Sequence, residues 1–194
     1  MSSFLGFIHY EMFRKIQFQN FIVDKILNIA KLHGYNYIVD NTNELGVLEE
    51  GNLEDIIDIK NIHGWLQERV GLVERKFALV TSQLISENPL LTEEIRFLMY
   101  KLGKEEKDYR NPKEAYELIN SKFLDGMPCD KAIGIIEEKE NLISYKVVTD
   151  MHLNFWNKNE KLYWDLRNEY INGVLSNSDY KLCELSKDYY EIRG

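Results

Sequence analysis

The sequence predicts an all-α fold, a single-domain bundle of about six helices with two or three long ones. Three observations carry that expectation. Between Ile56 and Leu84, apolar residues fall at Ile56, Ile59, Ile62, Leu66, Val70, Val73, Phe77, Val80 and Leu84. Steps of three and four residues line one side of a helix. The chain of 194 residues holds only 3 Pro and 11 Gly, few breakers for such a length. Hydrophobic residues make up 44% of it, enough to bury a core, and the length suits one domain over 1–194. No internal repeat and no low-complexity linker divides the chain.

The first helix opens at a Ser2 or Ser3 cap and runs to about His33, with Leu5, Ile8, Met12, Ile16, Val23, Ile26, Leu27 and Ala30 as its stripe. His33-Gly34 closes it, Gly34 supplying the left-handed residue that ends many helices. Residues 35–51 read as a loop, punctuated by Asn41, Asn43, Gly46 and Gly51. Their acids do not make a calcium loop, which needs a glycine at its sixth position and a glutamate at its twelfth. Asn52 caps the central helix, which ends near Asn88-Pro89 because the residue before proline avoids helical geometry. Gly64 and Gly71 inside it predict a close approach by another helix.

A third helix follows from Thr92 to Gly103, and a fourth starts at Asn111-Pro112, asparagine as cap and proline at the first position, and runs to Gly126. Residues 126–131 are a loop. Beyond it, alternation around Ile133, Ile135, Leu142 and Ser144 allows a small β-hairpin. The preferred reading is a short helix from Asp130, a turn at Glu140-Asn141, and a fifth long helix with Tyr145, Val148, His152, Phe155 and Trp156 on one face. Asn159 caps a sixth helix with Leu162, Tyr163, Leu166, Tyr170, Ile171 and Val174. Residues 177–194, with Leu182, Leu185, Tyr189 and Ile192, form a C-terminal extension packed on the bundle as a final short helix.

Composition narrows function by exclusion. With 24 basic against 32 acidic residues the formal charge is −8, which argues against nucleic acid and against anionic membrane surfaces as partners. Cys129 and Cys183 lie far apart without the spacing of a disulfide scaffold or redox motif. The N-terminal stretch lacks the basic region of a signal peptide, and no apolar run is long enough to span a membrane. These features predict a cytoplasmic protein, and the abundance of Ile, Asn, Lys, Glu and Tyr resembles bacterial proteins of AT-rich genomes.

Chemistry-bearing residues concentrate on apolar faces. His9 falls among Leu5, Ile8, Met12 and Phe13; His63 among Ile59, Ile62 and Leu66; His152 among Val148, Met151, Phe155 and Trp156. In a bundle, three such imidazoles converge on one ion. Imidazole suits zinc, iron, copper or nickel, completed by a thiolate or carboxylate. Cys129, in a turn beside Pro128 and Asp130, is the candidate thiolate. Glu74 lies about 16 Å along the helix from His63 at 1.5 Å per residue, so it lines the site or serves a second one. In an enzyme, a position beside Glu74 or Tyr10 would hold a water or small substrate. Haem held by histidine among aromatic residues is a further fit.

The Glu-x-x-His pairs of di-iron bundles, His-Glu-x-x-His, the P-loop, Gly-x-Ser-x-Gly and Cys-x-x-Cys-His are all absent. Two functions are therefore expected. One is a protein binding a metal ion or metallo-cofactor through His9, His63 and His152, with Cys129 and Glu74 assisting, as sensor, carrier or metalloenzyme. The other is a non-catalytic interaction or regulatory protein whose buried histidines are structural. In that case the central helix, or the regions of Trp65 and Trp156, present a partner or homodimer surface.

Overall fold

The computed structural model describes residues 4–126, 130–156 and 159–194. Element order is α1 (Phe7–Leu32), α2 (Asn36–Glu44), α3 (Leu53–Ile56), a 3-10 turn (Ile59–Asn61), α4 (Ile62–Glu87), α5 (Leu91–Lys104), α6 (Pro112–Asn120), β1 (Ile133–Lys139), β2 (Leu142–Val147), α7 (Glu160–Leu175), β3 (Lys181–Ser186) and β4 (Tyr189–Arg193). The all-α expectation is thereby overturned. The chain is 57% helical and also carries a four-stranded antiparallel sheet. It divides into two compact units, Met1–Pro89 with Lys122–Leu124, and Leu90–Ser121 with Asp125–Gly194.

The first unit is built on two 26-residue helices, α1 and α4, packed side by side, with α2 against both. Their facing stripes are as the periodicity predicts: Ile16, Val23, Ile26 and Ala30 on α1, and Val73, Phe77, Val80 and Leu84 on α4 are all buried. Gly34 closes α1 at φ +81°, as expected of that sequence. The central helix is shorter at its start than the stripe suggests. Asn52 precedes only the single turn of α3, and Ile57 is extended. The working cap of α4 is Asn61, whose Oδ1 accepts from Gly64 N at 3.2 Å. Ile59, counted in the stripe, lies on the 3-10 turn and is exposed. Residues 36–44, expected as loop, form α2, because Ile38, Val39 and Thr42 share one face and bury it. Burial there overrides the weak helix propensity of the asparagines. Phe123, beyond the end of α6, meets Phe18 edge-on at 6.4 Å.

The second unit sets the sheet, in the order β1-β2-β4-β3, beside α6 and α7, and α5 packs on α7. The fifth long helix of the sequence reading is strand β2. Its alternation places Ile143, Tyr145 and Val147 on a buried face. Opposite them on β4 stand Ile192 and Tyr190, in register with Ile143 and Tyr145. The two tyrosine rings stack at 5.5 Å. The C-terminal extension is likewise a hairpin, β3 and β4, not a helix. Its 3-4-3 spacing counted Leu185, which is exposed, while the buried residues Tyr190 and Ile192 follow a period of two. The fourth helix stops at Asn120, short of Gly126.

Helices α5 and α7 cross at the closest approach in this unit. A Cβ built on Gly103 collides with the Tyr170 carbonyl and lies 2.9 Å from Val174 N. One built on Gly173 collides with the Tyr100 carbonyl and lies 3.0 Å from Lys104 N. Gly103, expected as a helix stop, is thus a packing residue inside α5. The close approach assigned to Gly64 and Gly71 does not occur there. A Cβ on Gly64 meets the Asn61 cap, and one on Gly71 meets the flexible Arg75 side chain at 3.1 Å.

Gly103→Ala and Gly173→Ala should each cost about 3 kcal/mol or more, the upper end for overpacking, since backbone must move. Gly71→Ala should stay within about 1 kcal/mol of wild type. Urea denaturation followed by circular dichroism measures both.

Candidate functional site

Of the proposed ligands, the structure brings His9 and His63 together. His9 is the third residue of α1, after its N-cap Gly6, and is buried. His63 is the second residue of α4 and is exposed. Their Nε2 atoms are 3.2 Å apart, with ring centroids at 5.3 Å and planes inclined by 59°. The other nitrogen of His9 decides the chemistry. Gly6 N–H donates to His9 Nδ1 at 2.9 Å, while His9 N–H returns a bond to Gly6 O at 3.0 Å. This reciprocal pair resembles a capping box in which imidazole replaces the usual Glu or Gln.

With its Nδ1 lone pair so engaged, neutral His9 carries its proton on Nε2 and donates it to His63 Nε2. Burial, and then the neighbouring His63, push the His9 pKa below its ordinary value of 6.5. Two nitrogens on one tetrahedral ion at about 2.0–2.1 Å would lie about 3.3 Å apart, so the spacing alone suits either a proton or an ion. An ion at His9 Nε2 would move the ring proton to Nδ1, where it would face Gly6 N–H and break the cap. Metal-bound histidines ordinarily direct that second N–H at an acceptor.

Glu74, read as a lining residue, is buried between the two long helices, and its Oε1 accepts from Gln19 Nε2 at 2.8 Å. Cys129 lies outside the described residues. Among the described residues, no three His, Cys, Asp or Glu side chains come together as a metal-holding group.

His152 belongs to the second unit and sits in a turn, not on a helix. Asp150 shapes that turn: its Oδ1 accepts from His152 N at 2.8 Å and Leu153 N at 3.1 Å, and its Oδ2 from Trp164 Nε1 at 2.9 Å. The His152 ring stacks on Tyr163 with centroids 3.7 Å apart, and its Nε2 lies 3.2 Å from Asp125 Oδ1. Asp125 is the hub. Its Oδ1 also accepts from Tyr163 Oη at 3.3 Å, and its Oδ2 accepts from Arg167 Nε at 3.2 Å and Nη2 at 2.6 Å. Burial alone would raise the Asp125 pKa. The Arg167 charge, then the hydrogen bond and charge of His152, outweigh it and hold the carboxyl well below the usual carboxylate range.

A carboxylate with four donors around it is a structural anchor: its lone pairs are committed, and it has no capacity left to take a proton from a substrate. Sequence reasoning passed over both charged members. The available signal was Arg167 itself, standing on the apolar face of α7 with Tyr163 four residues before it and Tyr170 and Ile171 after it.

No protein-family model, curated protein or solved structure matches the chain. Among the described residues, no helix is long and apolar enough to cross a membrane.

Asp125→Asn leaves the Arg167 charge buried without its counter-ion and should cost about 3–5 kcal/mol. Because the folded pKa of Asp125 is depressed, its contribution is complete above the ordinary aspartate value of 3.8 and is lost as the solution is acidified below it. Urea midpoints measured against pH should therefore show a shallower acid limb in the variant than in wild type.

Proposed function

We propose that the chain is a non-catalytic interaction protein that accepts an extended peptide segment of a partner as an added strand along β1. The observation that carries this reading is the character of that edge. β1 is the outermost strand on its side of the sheet, paired with β2 and with no second strand among the described residues. The backbone groups on its other side therefore face away from the sheet, a template for strand addition over a short stretch up to the bulge between Ile135 and Glu137.

Apolar side chains frame the edge. Ile135 is 53% exposed, Ile136 59% and Val148 64%. Val148 is placed beside β1 by its N–H bond to Ala132 O at 2.8 Å, and its Cγ2 lies 3.6 Å from a Cβ built on Gly134. Isolated exposed apolar residues are ordinary, but Ile135 and Ile136, adjacent on a strand with one edge unpaired, form a surface with a geometric use, which Val148 extends from the β2 side. The opposite edge, β3, differs in having α7 packed against it. Main-chain bonds would supply affinity, and Ile135 and Ile136 would select apolar residues of the added segment.

The histidine arrangement is consistent with this reading. His9 and His63 serve helix capping and helix pairing, and His152 serves the Asp125 anchor.

The test is selection of peptides from a random display library on wild-type protein, with counter-selection on Ile135→Glu/Ile136→Glu. Peptides carrying apolar residues should emerge and shift the amide resonances of residues 133–137. The double variant should bind them at least about tenfold more weakly, a loss of about 1.4 kcal/mol, with its own stability within about 0.5 kcal/mol of wild type. Peptides that leave the β1 amides unmoved would overturn the proposal. So would self-association of the wild type through β1.

A further inference from the structure

We propose that the second unit holds a binding site for a small zwitterion, a free α-amino acid with an uncharged polar side chain. The site lies between the connector that joins α5 to α6 and the turn that joins α7 to β3. A cavity of about 660 Å³ opens there, inside the range of about 300–1,000 Å³ that small-molecule sites occupy. Three charged side chains line it: Lys107 and Arg110 from the connector, and Asp179 from the turn. Arg110 is committed. Its Nη2 donates to Glu114 Oε1 at 2.6 Å and its Nε to Glu114 Oε2 at 3.1 Å. Lys107 and Asp179 have no ion-pair partner among the described residues, and they do not pair with each other.

That charge pattern names the ligand. An ammonium and a carboxylate that share a cavity without neutralising each other are both open to a molecule carrying the opposite pair. Such a molecule displaces water and breaks no ion pair. A simple anion would gain Lys107 but meet the like charge of Asp179, and a simple cation would meet the reverse. A zwitterion satisfies both. The neighbouring amides set its side chain. Asn177 Nδ2 donates to Lys104 O at 3.1 Å, which leaves its Oδ1 to accept. Asn141, from the β1–β2 turn, lines the same cavity and brings an amide donor and acceptor. Hydroxyl or amide side chains answer such groups, whereas an apolar one would leave them unpaired.

The walls are held in place by the protein's own bonds. Tyr109, two residues after Lys107, donates its hydroxyl to Val174 O in the last turn of α7 at 2.8 Å. Tyr180, next to Asp179, donates its hydroxyl back to Arg110 O at 3.3 Å. Connector and turn are thus stitched together beside each of the two charges. Backbone already fixed lowers the ordering cost of binding.

Titration of the wild type with L-serine, L-asparagine and L-glutamine, each to about 10 mM and followed by amide resonances, tests the site. At least one of the three should shift the amides of residues 107–110 and 177–180 while those of residues 133–137 stay in place. Its N-acetyl derivative and its carboxamide, each lacking one charge, should bind at least about tenfold more weakly. Lys107 and Asp179 are exposed, so Lys107→Gln and Asp179→Asn leave the fold intact. Lys107→Gln should no longer distinguish the amino acid from its carboxamide, and Asp179→Asn should no longer distinguish it from the N-acetyl form. No shift with any of the three amino acids would overturn the proposal. Equal binding of the blocked forms to the wild type, or unchanged discrimination in both variants, would do the same.

Discussion

The second unit depends on two glycines. Gly103 and Gly173 let the backbones of α5 and α7 meet with nothing between them, and each glycine abuts a carbonyl of the opposite helix. Such contact fixes the depth and the rotation of α7 together, because a helix seated backbone-to-backbone has little freedom to turn. α7 carries Tyr163, Trp164 and Arg167, which between them hold Asp125, stack on His152 and reach Asp150. The buried charge pair is thus downstream of the crossing. It is stable only where α7 delivers the guanidinium, since a buried carboxylate without its partner is strongly disfavoured.

Much of the helical framework was legible in the chain. The stripes of α1 and α4, the glycine closing α1, the stop before Pro89 and the Asn111-Pro112 start of α6 are local signals, and the fold uses each. The β1–β2 hairpin was read only as the lesser alternative, and the β3–β4 hairpin was missed, for a physical reason. Hairpins announce themselves chiefly through Asn-Gly or Asp-Gly turns. Here the β1–β2 turn is Glu140-Asn141, and the β3–β4 turn is Lys187-Asp188, with Asp188 itself left-handed at φ +64°. Without glycine to mark them, short apolar runs fit a helical period as well as a strand period. His152 drew the reading toward a helix because it completes a plausible stripe, whereas its place is fixed by the turn that Asp150 caps and by Asp125, which is far away in sequence.

The candidate site was legible in part. That His9 and His63 meet follows from their places on two long amphipathic helices. What they do when they meet was not, because it depends on which nitrogen holds the proton, and that is set by a backbone N–H three residues upstream. A spacing that suits an ion and a spacing that suits a hydrogen bond are nearly the same. The second bond of the ring separates the two chemistries. Asp125 gave no signal at all, being one acid among 32 Asp and Glu.

Both outer strands of the sheet are interrupted. The pairing of β1 shifts between Ile135 and Glu137, and that of β3 between Glu184 and Ser186. A bulge bends a strand and throws its hydrogen-bonding groups out of phase with a straight neighbour that runs past it. Charged residues lie close by, with Glu137, Glu138 and Lys139 closing β1. Copies of this sheet stacked edge to edge would meet a kink on either side within a few residues, so a growing ribbon would stall at its first junction. The bulges thus restrict each edge to short stretches of regular pairing and hinder the growth of copy upon copy into a fibre.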